Sequence, residues 1–134
     1  MPSKPTLIAQ ISDLHIKPPG ALAYGRVDTA KALERCVAAL GAFEPAPDFV
    51  VISGDLVDTP SVEEYDYLKQ LLAPLRLPFA GIPGNHDIAY FKLLTRLFHP
   101  FRRYRSFIAQ ETEPTFLDEE IAVICLNTVR TWAP

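Results

Sequence analysis

No stretch of the chain approaches the roughly 18 consecutive apolar residues of a membrane-spanning helix. The start, Met1 to Ile11, carries one lysine and too short an apolar run for a signal peptide. Cysteine is scarce, at two residues. Cys36 falls on the apolar side of a predicted helix and Cys125 within the apolar run Ile121 to Leu126. Two cysteines so placed make no disulfide framework and favour a reducing compartment. An excess of one charge is also lacking. The net charge of -3 argues against long-range attraction to nucleic acid or an anionic membrane. There is no Gly-x-x-x-x-Gly-Lys loop, which argues against a phosphate-loop nucleotide switch. Internal repeats, low-complexity segments and linkers are absent too. These absences lead to the expectation of a soluble, cytoplasmic, single-domain protein.

The 134 residues are 49% hydrophobic and 22% charged, as in a globular domain. Thr6 to Ser12, Asp48 to Ser53 and Pro78 to Pro83 are apolar runs with the pattern of strands buried on both faces. Between them lie two predicted helices. The first is capped by Asp28 or Thr29 and runs to about Phe43, with Ala32, Leu33, Cys36, Val37, Leu40 and Phe43 on one face. The second starts at Ser61, where Glu64 three residues on completes a capping-box signature. It turns Tyr65, Leu68, Leu71 and Leu72 inward and ends near Pro74. A third helix is expected over Ile88 to Phe98, with Leu93, Leu94 and Leu97 apolar. A strand is expected over Arg105 to Gln110. A hairpin is expected from Thr115 to Leu117 and Ile121 to Asn127, around Asp118-Glu119-Glu120. The alternation of strand and helix implies an α/β fold with a mostly parallel sheet, flanking helices and right-handed crossovers.

Each of the three buried strands runs into a polar cluster, at the strand end where open α/β sheets bind ligands. The first ends in Asp13-Leu14-His15, the second in Gly54-Asp55-Leu56-Val57-Asp58, the third in Gly84-Asn85-His86-Asp87. Each cluster alone reads as a turn or a helix cap. Together, at three parallel strand ends, they point to one site. If the chain stays extended at Asp13 and His15, both side chains point the same way and grip one cation. Asp55 offers two oxygens and is able to bridge two cations, and Asn85 adds a neutral amide oxygen. This oxygen and nitrogen set suits manganese, iron, zinc or cobalt. Two such ions about 3.5–4 Å apart would activate a water and clamp a phosphoryl group. His86 is placed to contact phosphate or protonate a leaving group, with Asp58 or Asp87 orienting an imidazole.

These three motifs resemble the first three signatures of the calcineurin-like metallophosphoesterases, and the resemblance spans about Leu7 to Asn127. The loop Tyr24-Gly25-Arg26-Val27-Asp28 and Glu64-Tyr65 look like the branch that holds class III cyclic nucleotide phosphodiesterases and glycerophosphodiesterases. The resemblance implies that Asp13 and His15 bind a first divalent metal, Asp55 bridges two, and Asn85 binds the second. It implies that His86 and Asp55 are catalytic, with His86 assisting the leaving group and a metal-bound hydroxide attacking. His15, Asp55, Asn85 and His86 would line the substrate pocket, and the substrate would be a small phosphodiester.

The pattern is incomplete. The family's later lone histidine and Gly-His-x-His motif have no counterpart, because the three histidines are His15, His86 and His99. His99 stands before Pro100 in no matching context, and Asn127 stands where the family usually has an aspartate. Residues 1–134 are therefore expected to form an incomplete domain, the N-terminal half of the family's four-layer αββα sandwich. Such a half would associate with itself or with the missing half. The alternative is an inactive fragment acting as a weak metal-binding or assembly module. The basic and aromatic stretch Phe98 to Phe107 reads most simply as a helix end with solvated arginines. Contact with nucleic acid and lining of the substrate pocket are the other readings.

Overall fold

The computed structural model describes residues 4–89 and 93–131. Three strands, β1 (Ile8–Ser12), β2 (Phe49–Ser53) and β3 (Phe79–Ile82), form a parallel sheet in the order β1-β2-β3. Helix α1 (Thr29–Gly41) connects β1 to β2, and α2 (Val62–Leu72) connects β2 to β3. A 3-10 turn at Asn85–Asp87 follows β3, then α3 (Leu93–Phe98) and α4 (Arg102–Phe107). The chain closes its described course with an antiparallel pair, β4 (Thr115–Leu117) and β5 (Ala122–Ile124). The expected α/β architecture and the expected hairpin are both present. Among the described residues no helix is long and apolar enough to cross a membrane.

Central strand β2 is the most buried, with Val50 and Ile52 fully inaccessible. The capping oxygen of α1 belongs to Asp28, which accepts from the Lys31 amide at 2.9 Å. Leu33 and Val37 carry α1 into the core. Ala32 and Phe43, expected on the same face, are exposed, since α1 ends at Gly41 and leaves Phe43 beyond its last turn. Helix α2 buries Tyr65, Leu68, Leu71 and Leu72 as the spacing predicts. Its capping box forms by half. Ser61 Oγ accepts from the Glu64 amide, but the Glu64 carboxylate turns to Thr59 instead, taking its amide at 2.9 Å and its hydroxyl at 2.8 Å.

Two other expectations are corrected. Arg105 to Gln110 is not a strand, because Arg102–Phe107 is helical. Phe101, Tyr104 and Phe107 recur at three-residue spacing, which puts them on one side of a helix. There Tyr104 is buried and donates to the Gly81 carbonyl at 2.6 Å, and Phe107 stacks on Tyr65 at 5.7 Å between ring centroids. The helix expected over Ile88 to Phe98 is also shorter. Ile88 is extended at its head, and Tyr90, Phe91 and Lys92 lie outside the described residues. Leu93 and Leu94 are 69% and 72% exposed, because α3 lays no side on the core. On the sheet, Phe116 of β4 stacks on Phe49 of β2 with ring centroids 4.1 Å apart, which fixes where the hairpin sits.

Candidate metal centre

Parallel register places the three motifs side by side. Ser12 pairs with Ser53, and Ser53 with Ile82, so all three strands end at one edge. The pairing of the first two motifs continues past the strands. The amides of Asp13, His15 and Ile16 donate to the carbonyls of Gly54, Asp55 and Leu56, and Asp58 donates back to Ile16. Backbone strain is concentrated here. Asp13, His15 and Asp55 have φ of 55°, 43° and 48°. The left-handed region costs an L residue about 1–2 kcal/mol, and Asp and His are among the residues that tolerate it best. Such strain persists only where the surroundings hold it. It also corrects one expectation, since Asp13 and His15 do not lie on an extended chain and do not project together by strand alternation.

His15, Asp55 and His86 converge. Each offers one ligand atom, and these atoms lie within 4.8 Å of one another. The His15 and His86 rings meet edge to face with centroids 4.7 Å apart. His15 Nε2 is 3.7 Å from Asp55 Oδ2. The other oxygen, Oδ1, is held by the His86 amide at 3.0 Å. Asp13 and Asn85 are more exposed and stand beside this cluster. They share with Asp55 the lining of a cleft of about 570 Å³, which Arg96, Thr128 and Arg130 also border.

The second half of each motif holds the first half in place. Asp87 does not touch an imidazole. Its buried carboxylate accepts from the amides of Leu56, Val57 and Gly84 and from the Tyr65 hydroxyl, which pins the third motif to the second. Burial pushes this carboxyl up against those donors. Burial and the Asp87 charge likewise push the Tyr65 hydroxyl far above its ordinary value, so it stays a donor. Asp58 is the acid that faces the imidazoles, with Oδ1 3.6 Å from His15 Nδ1 and 3.9 Å from His86 Nδ1. Its partial burial raises its carboxyl pKa. The Lys17 hydrogen bond at 2.5 Å, with the charges of Lys17, His86 and His15, outweighs this and keeps it below its ordinary value. The Asp58 carbonyl accepts from His86 Nδ1 at 2.8 Å. A carbonyl only accepts, so Nδ1 carries the proton and Nε2 is the nitrogen open to a ligand or a substrate.

The residues present fit a divalent cation. His15 and Asp55 converge with Asp13 and Asn85 beside them, an oxygen and nitrogen donor set suited to borderline metals, and the His86 imidazole faces it. His15 Nδ1 is buried with no hydrogen-bond partner among the described residues. The nearest carboxylate, 3.6 Å away, is within ion-pair reach but too far for a hydrogen bond. Lys17, Arg96 and Arg130 escaped the reading of the motifs. Lys17 lies two residues past His15 and carried a weak signal. The two arginines are far from every motif in sequence and carried none.

Comparison with known proteins bears on these residues together. A family model described as calcineurin-like phosphoesterase matches residues 6–129. The chain is 45% identical over 83 residues to the "Probable glycerophosphodiester phosphodiesterase GpdQ" of Arcobacter nitrofigilis, which is 62% of this chain and 30% of that one. It is 35% identical over 82 residues to the 3',5'-cyclic adenosine monophosphate phosphodiesterase CpdA of Pseudomonas aeruginosa, covering 60% of this chain and 30% of that one. A "Probable cyclic nucleotide phosphodiesterase" of Rhodopseudomonas palustris matches at 30% over 124 residues, 92% of this chain and 43% of its own. The chain spans less than half the length of each of these relatives.

Proposed function

The chain belongs to the calcineurin-like phosphoesterase family, and from that premise we propose that it carries the first half of a metal-dependent phosphodiester hydrolase site. The observation that supports this most is the convergence of His15, Asp55 and His86 at the ends of parallel strands. In this reading Asp13, His15, Asp55 and Asn85 would hold the divalent ions, with Asp55 shared between them. Once bound, such ions lower the pKa of water and neutralise charge on phosphoryl oxygens.

The chain's own groups do the rest. Asp55 is held by one oxygen to the His86 amide, which leaves the other directed at His15. His86 donates through Nδ1 to a carbonyl, so Nε2 faces the substrate and, when protonated, hands its proton to the departing oxygen. Asp58, tied to Lys17, stands 3.9 Å from that imidazole. The substrate is a glycerophosphodiester or a cyclic nucleotide, which the named activities of the similar proteins support. Manganese, iron, zinc and cobalt all suit the donors.

The test is manganese titration of the chain by calorimetry together with hydrolysis of a chromogenic phosphodiester. Saturable binding that Asp55→Asn abolishes, with hydrolysis lost alongside, is the expected result. Equal binding by Asp55→Asn would remove the site. The apolar residues left open on the sheet, with Ile8 40% and Phe79 41% exposed, support a second element of the reading: association with a further copy or with a segment that completes the fold. Light scattering that shows a monomer at high concentration would count against it.

A further inference from the structure

A second concave site lies on the helical side of the molecule, at the same end of the sheet. Its volume is about 500 Å³, in the range that holds small organic ligands. One wall is the start of α2, with Pro60, Ser61 and Val62; the facing wall is α4 and the turn before it, with His99, Arg102 and Arg103. The Arg103 guanidinium donates to the Pro60 carbonyl and so ties the two walls together. The Arg102 guanidinium and the His99 imidazole have no hydrogen-bond or ion-pair partner among the described residues.

Among the described residues the only carboxylate in the lining is that of Asp87, and four donors already engage it. The cavity thus gathers two fixed positive charges and an imidazole around a hollow with no counter-charge free to answer them. A concave surface of one sign focuses its field on whatever enters. The Ser61 hydroxyl accepts from the Glu64 amide, which leaves its proton free to point inward. Donors from opposite walls suit a group with three terminal oxygens better than a flat carboxylate, and guanidinium pairs well with phosphate. Pro60, Val62, Pro100 and Phe107 supply an apolar remainder.

We propose that this cavity binds the phosphate monoester group of a small organic molecule, with the organic body against Val62 and Phe107. The site shares none of the metal-binding residues and does not depend on the phosphodiesterase reading.

The test uses the whole chain in excess EDTA, so that no metal-held phosphate contributes. Phenyl phosphate is titrated while amide chemical shifts are followed, with inorganic phosphate as the comparison. Saturable binding is expected, with shifts centred on Ser61, Arg102 and Arg103 and tighter binding of phenyl phosphate than of inorganic phosphate. Arg102→Gln, at an exposed position, should weaken binding roughly tenfold or more, the loss expected for a hydrogen bond to a charged group. Asp55→Asn should leave binding unchanged. Shifts centred on Asp13, Asp55 and Asn85, equal affinity in Arg102→Gln, equal affinity for the two phosphates, or no saturation by roughly 10 mM would each overturn the proposal.

Discussion

Replacing Gly84 by alanine isolates the contact that shapes the metal centre. The residue has φ of -105°, a value open to any amino acid, so the penalty is steric and not conformational. A Cβ at this position would lie 2.1 Å from both the amide nitrogen and Oδ1 of Asp55, and 2.9 Å from its Cγ. Ordinary contact begins at 3.4 Å, so the two segments must part by more than an ångström. A flexible side chain does not absorb that shift, because the Asp55 backbone itself is in the way and is already held at a φ of 48°. Separation breaks the bond from the His86 amide to Asp55 Oδ1, 3.0 Å long in the native chain. Overpacking of this kind costs about 1–3 kcal/mol, and a lost hydrogen bond to a carboxylate about 1.5–3 kcal/mol more. The expected total is roughly 2.5–6 kcal/mol, a large share of the 5–15 kcal/mol typical of a domain.

Urea unfolding measures this directly, with Gly41→Ala as control. Gly41 is the last residue of α1 and a Cβ there meets open space, so that variant should gain stability, by up to about 1 kcal/mol. Manganese affinity gives a second readout and should fall about 10–100-fold in Gly84→Ala, as when a ligand loses its support. A Gly84→Ala protein that unfolds at the native urea concentration and binds manganese equally well would refute the reasoning. The close approach of Gly84 to Asp55 would then not be what sets the site.

Other perturbations test the supports behind the site. Burial raises the Glu64 carboxyl above its ordinary 4.5 against its bonds to Thr59. The folded chain therefore keeps a proton that the unfolded chain has lost. The stability from this group is full below the ordinary value and declines as pH rises through the raised one. Glu64→Gln is expected to gain on the native chain as pH rises above the ordinary 4.5, by at most about 1.4 kcal/mol per pH unit. Parallel stability curves would contradict it. Tyr65→Phe removes one of four donors from the buried Asp87 while keeping the ring against Phe107. A loss of about 1.5–3 kcal/mol is expected by denaturation, and a change under about 0.5 kcal/mol would show that the bond is not structural. Leu68→Ala, at a side chain with no exposed surface, should cost about 2–5 kcal/mol. A smaller loss would mean that the space beneath α2 closes by collapse.

The elements that read well from sequence are those whose pattern is local and strong. The β2 run from Phe49 is apolar without interruption, and α2 repeats Tyr65, Leu68, Leu71 and Leu72 at helical spacing, so each announces itself. Helix α4 is hard to see in the sequence although Phe101, Tyr104 and Phe107 carry a helical period. The β-forming residues among 105–108 outweighed that period over so short a stretch. Leu93 and Leu94 misled for another reason, since apolar spacing says which residues share a side of a helix and not whether anything packs against that side.

For the candidate site, residue types and order were legible at once: three strands, each ending in acid, histidine or amide. Those follow from short-range composition, and so does the family likeness they carry. Which atoms meet was not legible. Parallel pairing through Ser12, Ser53 and Ile82 brings the ends together, and turns through positive φ then aim the side chains. That combination gathers His15, Asp55 and His86 and leaves Asp13 and Asn85 on the adjoining cleft. It also assigns the two remaining acids opposite work, with Asp87 pinning backbone amides and Asp58 facing the imidazoles. Backbone amides leave no mark in a sequence, so roles that depend on them are decided only when the chain is folded.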